Sequence, residues 1–194
     1  MTAIFTLGRL TLRNPAAAAK IILAKTLHGE AIWTALFLVA VLNALAYAVM
    51  TVLFPMPEEL AFLNPSPITY MALSAGILVA FSAAVSASGR LIGGQGSFFG
   101  VLSMMIWLQL VRVALQVVLI LVMMLSPGIG GLLSLAINLY LVFVLLHFVN
   151  EGHRFNSLWR AFAVLLMASL LALFALTFVT GLFGPDNLGL PAYV

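Results

Sequence analysis

Gln109, Arg112 and Gln116 are spaced three and four residues apart, which stacks them on one face of a helix. Apart from Ser103 and these three, the stretch from Val101 to Leu125 is apolar. A guanidinium does not deprotonate in a protein, so Arg112 carries its charge wherever it sits. A charge at the centre of a lipid-embedded helix costs about 3 kcal/mol on insertion scales, and it is therefore normally solvated, paired or functional. No acid lies in any of the long apolar stretches, so the partners on offer are neutral: Asn43, Tyr47, Asn138, Tyr140 and the two glutamines. Two readings follow. The stripe is an anion or headgroup site in a polar cavity, or it is a staple that binds its helix to neighbours carrying Asn43, Asn138 and Tyr140.

A second cluster, Arg90 followed by Gly93, Gly94, Gln95, Gly96 and Ser97, suggests a phosphate-binding loop. The motif fails, because no strand precedes it and no Gly-Lys-Ser/Thr closes it. A tight turn is the simpler expectation, with glycine supplying positive φ and Ser97 capping the next helix. The exposed N–H groups of that helix, beside Arg90, could still attract an anionic headgroup. His147 and Glu151 lie one helical turn apart, but His153 follows Gly152, which spoils a preorganised metal face, so no metal site is expected. There is no cysteine, no Ser/His/Asp arrangement and no paired intramembrane carboxylate. The expectation is a non-enzymatic protein without a cofactor.

The elements that hold these residues follow from composition. With 64% apolar and 7% charged residues and a mean hydropathy of +1.23, the chain lies far outside soluble composition. Eight Lys and Arg against five acids give a net charge of +3, too little for a nucleic-acid surface. The predicted architecture is an all-α polytopic membrane bundle of five transmembrane helices, preceded by an interfacial amphipathic helix. Residues 1–29 form the interfacial segment: Asn14-Pro15 reads as an N-cap and first helical residue, so a helix is expected from Pro15 to about Leu27. Its Lys20 and Lys25 would snorkel to headgroups while Ile21, Ile22 and Leu27 sink.

Residues 30–183 form the transmembrane domain, with spans at about 31–54, 68–88, 98–125, 129–148 and 159–183, each long enough for a hydrocarbon core of about 30 Å. Residues 184–194 form a short extracytoplasmic tail. The loops are expected at Pro55 to Pro67, at the Gly-rich turn, at Ser126-Pro127-Gly128, and at the polar run from Glu151 to Ser157. In the second span Ala72, Gly76, Ala80, Ala84 and Ser88 recur every four residues, a small-residue stripe that admits a closely packed helix. With the N-terminus in the cytoplasm, Arg9, Arg13, Lys20, Lys25, Arg90, Arg154 and Arg160 all fall inside. Arg112 is then the only basic residue that topology leaves unexplained.

Several local features resemble the bacterial branch of the YIP1 family, over nearly the whole chain. They are the five spans behind a basic N-terminal segment and its Arg9…Arg13-Asn14-Pro15 lead-in, the Gly93-Gly94-Gln95-Gly96-Ser97-Phe98 turn, Trp107-Leu108-Gln109, and His147…Phe155…Ser157-Leu158-Trp159-Arg160-Ala161 leading into the last span. The resemblance implies a five-helix protein of the bacterial inner membrane, N-terminus cytoplasmic and C-terminus periplasmic. Eukaryotic relatives are linked to vesicle trafficking and Rab-type GTPases, but the short N-terminal segment here lacks a natural docking platform for such a partner. The expected role is to organise membrane or partner proteins, with lipids, membrane proteins or a second copy as partners and no nucleic acid. The competing role is a lipid scramblase, or an anion or small-solute channel or transporter, built on a cavity around Arg112.

Overall fold

A computed structural model describes residues 2–55, 57 and 64–183, and every regular element among them is a helix. In chain order these are α1 (Thr2–Arg13), α2 (Pro15–Ala24), α3 (Glu30–Leu53), α4 (Pro67–Leu91), α5 (Phe98–Leu125), α6 (Pro127–His153) and α7 (Leu158–Phe183). Local chemistry sets the starts. The Asn14 side chain accepts from the Ala17 N–H at 3.0 Å, Ser66 from Thr69 at 3.2 Å, and Ser97 from Gly100 at 3.1 Å. Proline opens α2, α4 and α6, where its missing N–H is no loss.

Five helices, α3 to α7, are long and apolar enough to cross a membrane, so the chain is a multi-pass membrane protein. At 24 to 28 residues they run about 36 to 42 Å, longer than a hydrocarbon core of about 30 Å. Each observed span lies within a few residues of its expected limits except α6. That helix continues through Glu151 to His153, residues the sequence assigned to a loop, and only then closes on Arg154 in the left-handed conformation at φ 57°. The extra turn is held by packing: His153 is buried, and Glu151 pairs with Lys20 at 3.7 Å. The acids of the loop after α3, Glu58 and Glu59, and the expected tail from residue 184 lie outside the described residues.

The N-terminal segment departs further from expectation. Ahead of α2 the chain forms a second helix, α1, and the two make a hairpin that docks on α5 and α6 at one end of the bundle. In α2, Ala18 and Ala19 are 0% exposed and Pro15 and Ile22 are also buried, while Lys20 and Lys25 face outward. From α1, Leu7 and Leu10 pack on the core and Thr11 is buried. The Thr11 hydroxyl donates to the Leu7 carbonyl at 2.8 Å and accepts from the Trp107 indole N–H at 2.8 Å, which satisfies a polar group that would otherwise oppose burial. The Tyr140 hydroxyl donates to the Leu12 carbonyl, and the Leu27 N–H to the Ser103 hydroxyl at 3.1 Å. The outer face of α1 carries Arg9 and Arg13, with Ile4 and Phe5 exposed toward its start.

Packing is uneven along the bundle axis. The buried core gathers at the hairpin end, in Val85, Val101, Leu102, Met104, Phe148 and Val164. Toward the far end Val117, Leu121 and Leu125 of α5 and Ile129 and Leu132 of α6 are exposed. Lipid solvates such side chains as well as protein does, so the far half gains little by closing.

The docked hairpin makes a direct prediction. Ala18→Leu adds bulk where no space exists and should cost about 1–3 kcal/mol. In detergent the variant should melt several degrees lower and be cut by trypsin at Arg13 or Lys20 well before the parent protein.

Candidate functional site

The Gly-rich cluster is a turn, and its glycines make a socket. Gly93 adopts φ 86°, and the Gly94 N–H donates to the Gly89 carbonyl at 2.8 Å. The Gln95 N–H donates to the His153 carbonyl at 3.1 Å, and the Arg154 guanidinium to the Gln95 side-chain oxygen at 3.4 Å, so the turn is bonded to the end of α6. Into it projects the His153 ring, stacked on Phe155 at a centroid distance of 5.2 Å. A β-carbon on Gly89 would fall 1.9 Å from the imidazole Nε2, and one on Gly96 would fall 2.6 Å from the same atom. One on Gly94 would lie 2.7 Å from both His153 and Phe155. Only residues without a side chain leave room for this ring. Its Nδ1 lies 3.2 Å from the Val149 carbonyl. Arg90 is exposed and donates to the Ser86 carbonyl of its own helix at 3.3 Å, and Ser97 serves as the cap of α5.

His153 was missed as a partner of this turn because the contact spans about sixty positions in the chain. The signal present was the number of glycines close together, read only as backbone freedom. His147 and Glu151 do not join it: the first faces the Phe143 carbonyl at 3.0 Å, the second faces Lys20, and no metal-binding group is found among the described residues.

The second cluster centres on the middle of α5. Arg112 lies fourteen residues after Phe98 and thirteen before Leu125, about 20 Å of rise from either end. It borders two crevices. One, of about 220 Å³ between α4, α5 and α6, is lined by Leu78, Phe81, Gln109, Arg112, Asn138 and Leu141 among others. The other, of about 350 Å³ between α3, α4 and α5, is bordered by Asn43, Tyr70, Ile77, Phe81, Gln109 and Arg112 among others. Four of the expected residues thus converge, from three helices. Asn43 and Asn138 each donate one N–H back to their own helix, at 3.0 Å to Val39 and 2.8 Å to Ser134. Gln116, one turn beyond Arg112, borders neither crevice, and Tyr140 is engaged by the Leu12 carbonyl instead.

Arg112 itself is solvent-accessible, and among the described residues its guanidinium makes no hydrogen bond and no ion pair. The described acids are Glu30, at the start of α3, and Glu151, near the end of α6 and paired with Lys20. Among the described residues, then, no hydrogen bond or ion pair of the guanidinium links α5 to a neighbouring helix.

Comparison with known proteins gives the wider setting. The Yip1 domain matches residues 9–179, from within α1 to near the end of α7. The chain belongs to the Yip1 family. No curated protein and no solved structure matches it. The Yip1 match takes in the end of α1, all of α2 to α6 and most of α7.

The socket is testable through stability. Gly89→Ala should lower the melting temperature strongly by driving a methyl group into the imidazole, an overpacking loss of about 1–3 kcal/mol. Combining it with His153→Ala should cost clearly less than the sum of the two single losses, since the clash is then gone. Additive losses in a tryptophan-fluorescence melt would show that the two residues do not meet.

Proposed function

We propose that this Yip1 protein is a non-enzymatic organiser of the membrane that brings membrane proteins, or copies of itself, together through the open face of α4. The observation that carries this reading is the state of the small-residue stripe. Ser88 is buried and Ala84 half-buried, but Ala72, Gly76 and Ala80 are exposed, and nothing lies within 4 Å of where a β-carbon on Gly76 would stand. Between this face and Leu171, Phe174 and Ala175 of α7 runs a groove of about 770 Å³. A stripe of small residues lets a second helix approach closely enough for dispersion and Cα–H contacts to replace the missing hydrophobic drive. The seven basic residues other than Arg112 belong to the hairpin or to helix ends beside it, which supports a cytoplasmic hairpin and a multi-pass inner-membrane location.

Because the chain has no cysteine, single-cysteine variants read this face without background. In native membranes Ala80→Cys should give thiol-crosslinked species, whereas Val118→Cys on the exposed side of α5 should give none. Adding Gly76→Leu should abolish the crosslinks while leaving the melting temperature nearly unchanged. Equal crosslinking from both cysteines, or none from Ala80→Cys, would defeat the reading.

A second reading, the handling of a lipid or anion within the membrane, is favoured by one specific observation: Arg112 stands in two crevices with no counter-charge among the described residues.

A further inference from the structure

We propose that Arg112 binds the phosphate of an anionic phospholipid whose acyl chains lie along the walls of the two crevices, a proposal that rests on the second reading above. The need for an anion is electrostatic. A permanent positive charge half-way along a membrane-spanning helix requires compensation, and none of the described side chains supplies it. The donor set suits an oxyanion. The guanidinium offers five N–H groups in a planar fork that matches phosphate geometry, and the Gln109 amide stands one turn away on the same helix. Asn43 spends one N–H on the Val39 carbonyl, which leaves its second free to donate from the α3 wall, and Asn138, on the α6 wall, donates to the Ser134 carbonyl at 2.8 Å and only at a long 3.5 Å to the Ser134 hydroxyl, a contact a phosphate oxygen can replace.

The walls decide between a lipid and a free ion. Beyond the polar spot the crevices are lined by Leu78, Phe81, Leu141 and Val142 on one side and Leu73 and Ile77 on the other. A small hydrated anion gains nothing from such a surface, whereas an acyl chain buries against it. The crevices are also accessible sideways: Val142, Leu73 and Ile77 border them and are themselves 53%, 53% and 66% exposed. A lipid can thus enter from the bilayer with its headgroup meeting Arg112, without passing through the packed core at the hairpin end. One polar point between apolar walls is the pattern of an amphiphile.

The test uses the purified full chain in a neutral detergent, with thermal unfolding followed by tryptophan fluorescence during titration. Phosphatidylglycerol should raise the melting temperature saturably, while inorganic phosphate and diolein, which supply the headgroup charge and the acyl chains separately, should not. Arg112→Leu should weaken the phosphatidylglycerol response by roughly tenfold or more in apparent affinity. Arg112→Lys, which keeps the charge and loses the fork, should fall between, and Arg160→Leu at the exposed start of α7 should respond like the parent. If Arg112→Leu does not fold, Gln109→Leu and Asn138→Leu carry the same test, each expected to weaken binding. An unchanged response in the Arg112 variants, or in both substitutes, overturns the proposal. So does equal stabilisation by inorganic phosphate, which would make the site one for a free ion. Movement of fluorescent phospholipid across liposomes is read separately. Binding without movement would leave the lipid site standing and remove transport, whereas movement unaffected by Arg112→Leu would show that transport does not use it.

Discussion

The contact between His153 and the glycines at positions 89, 94 and 96 sets the geometry of the bundle. One ring fills the space that three absent side chains leave, and in doing so it ties the end of α4, the turn into α5 and the end of α6 to one point. Because α6 and α7 are joined just beyond, through Phe155 and the Asn150 side chain that accepts from the Ser157 N–H at 2.8 Å, four of the five spanning helices are referenced to this socket. The α1–α2 hairpin then closes over the adjoining faces of α5 and α6. Tight packing at this end is a consequence of backbone proximity, which only glycine permits.

Helices fixed at one end and longer than the hydrocarbon core need not touch at the other. In water the exposed leucines and valines of the far half would force closure; in lipid they do not. The crevices around Arg112 and the groove along α4 are what this freedom leaves, and they begin where the buried core stops. Phe81 borders all three, so the face of α4 that carries it connects the arginine to the small-residue stripe. Both proposed roles of this Yip1 protein, lipid binding and helix association, use the same loosely packed half. They differ in whether the occupant brings a charge.

Much of the fold was legible because a bilayer leaves few options. Long apolar runs must be helices, and Asn14-Pro15, Ser97 and Ser126-Pro127 mark where they start. The stripe of Gln109 and Arg112 was legible from spacing alone, and Asn43 and Asn138 from being the amides nearest the middle of other spans. What stayed hidden depended on contacts distant in sequence. Helix α1 mixes Thr11, Arg9 and Arg13 into its leucines, and its polar hydroxyl is acceptable only because Trp107 meets it. The last turn of α6 runs through Gly152, a residue that suggests a stop, and it persists because His153 has a socket some sixty residues back in the chain. Tyr140 belongs to the hairpin for the same reason, and Gln116 falls one turn past the crevices, a distinction that periodicity does not carry.

Arg112 is the one Lys or Arg away from the membrane boundaries, since every other such side chain lies at an end of the bundle or on the hairpin. A density map of the protein in nanodiscs containing phosphatidylglycerol tests the proposed lipid site most directly. The expected result is a phosphate-sized feature at hydrogen-bond distance, about 2.7–2.9 Å, from the Arg112 guanidinium, continuous with acyl density along Phe81 and Leu141. Arg112 paired with a carboxylate of its own chain, or crevices closed by packed side chains, would contradict it.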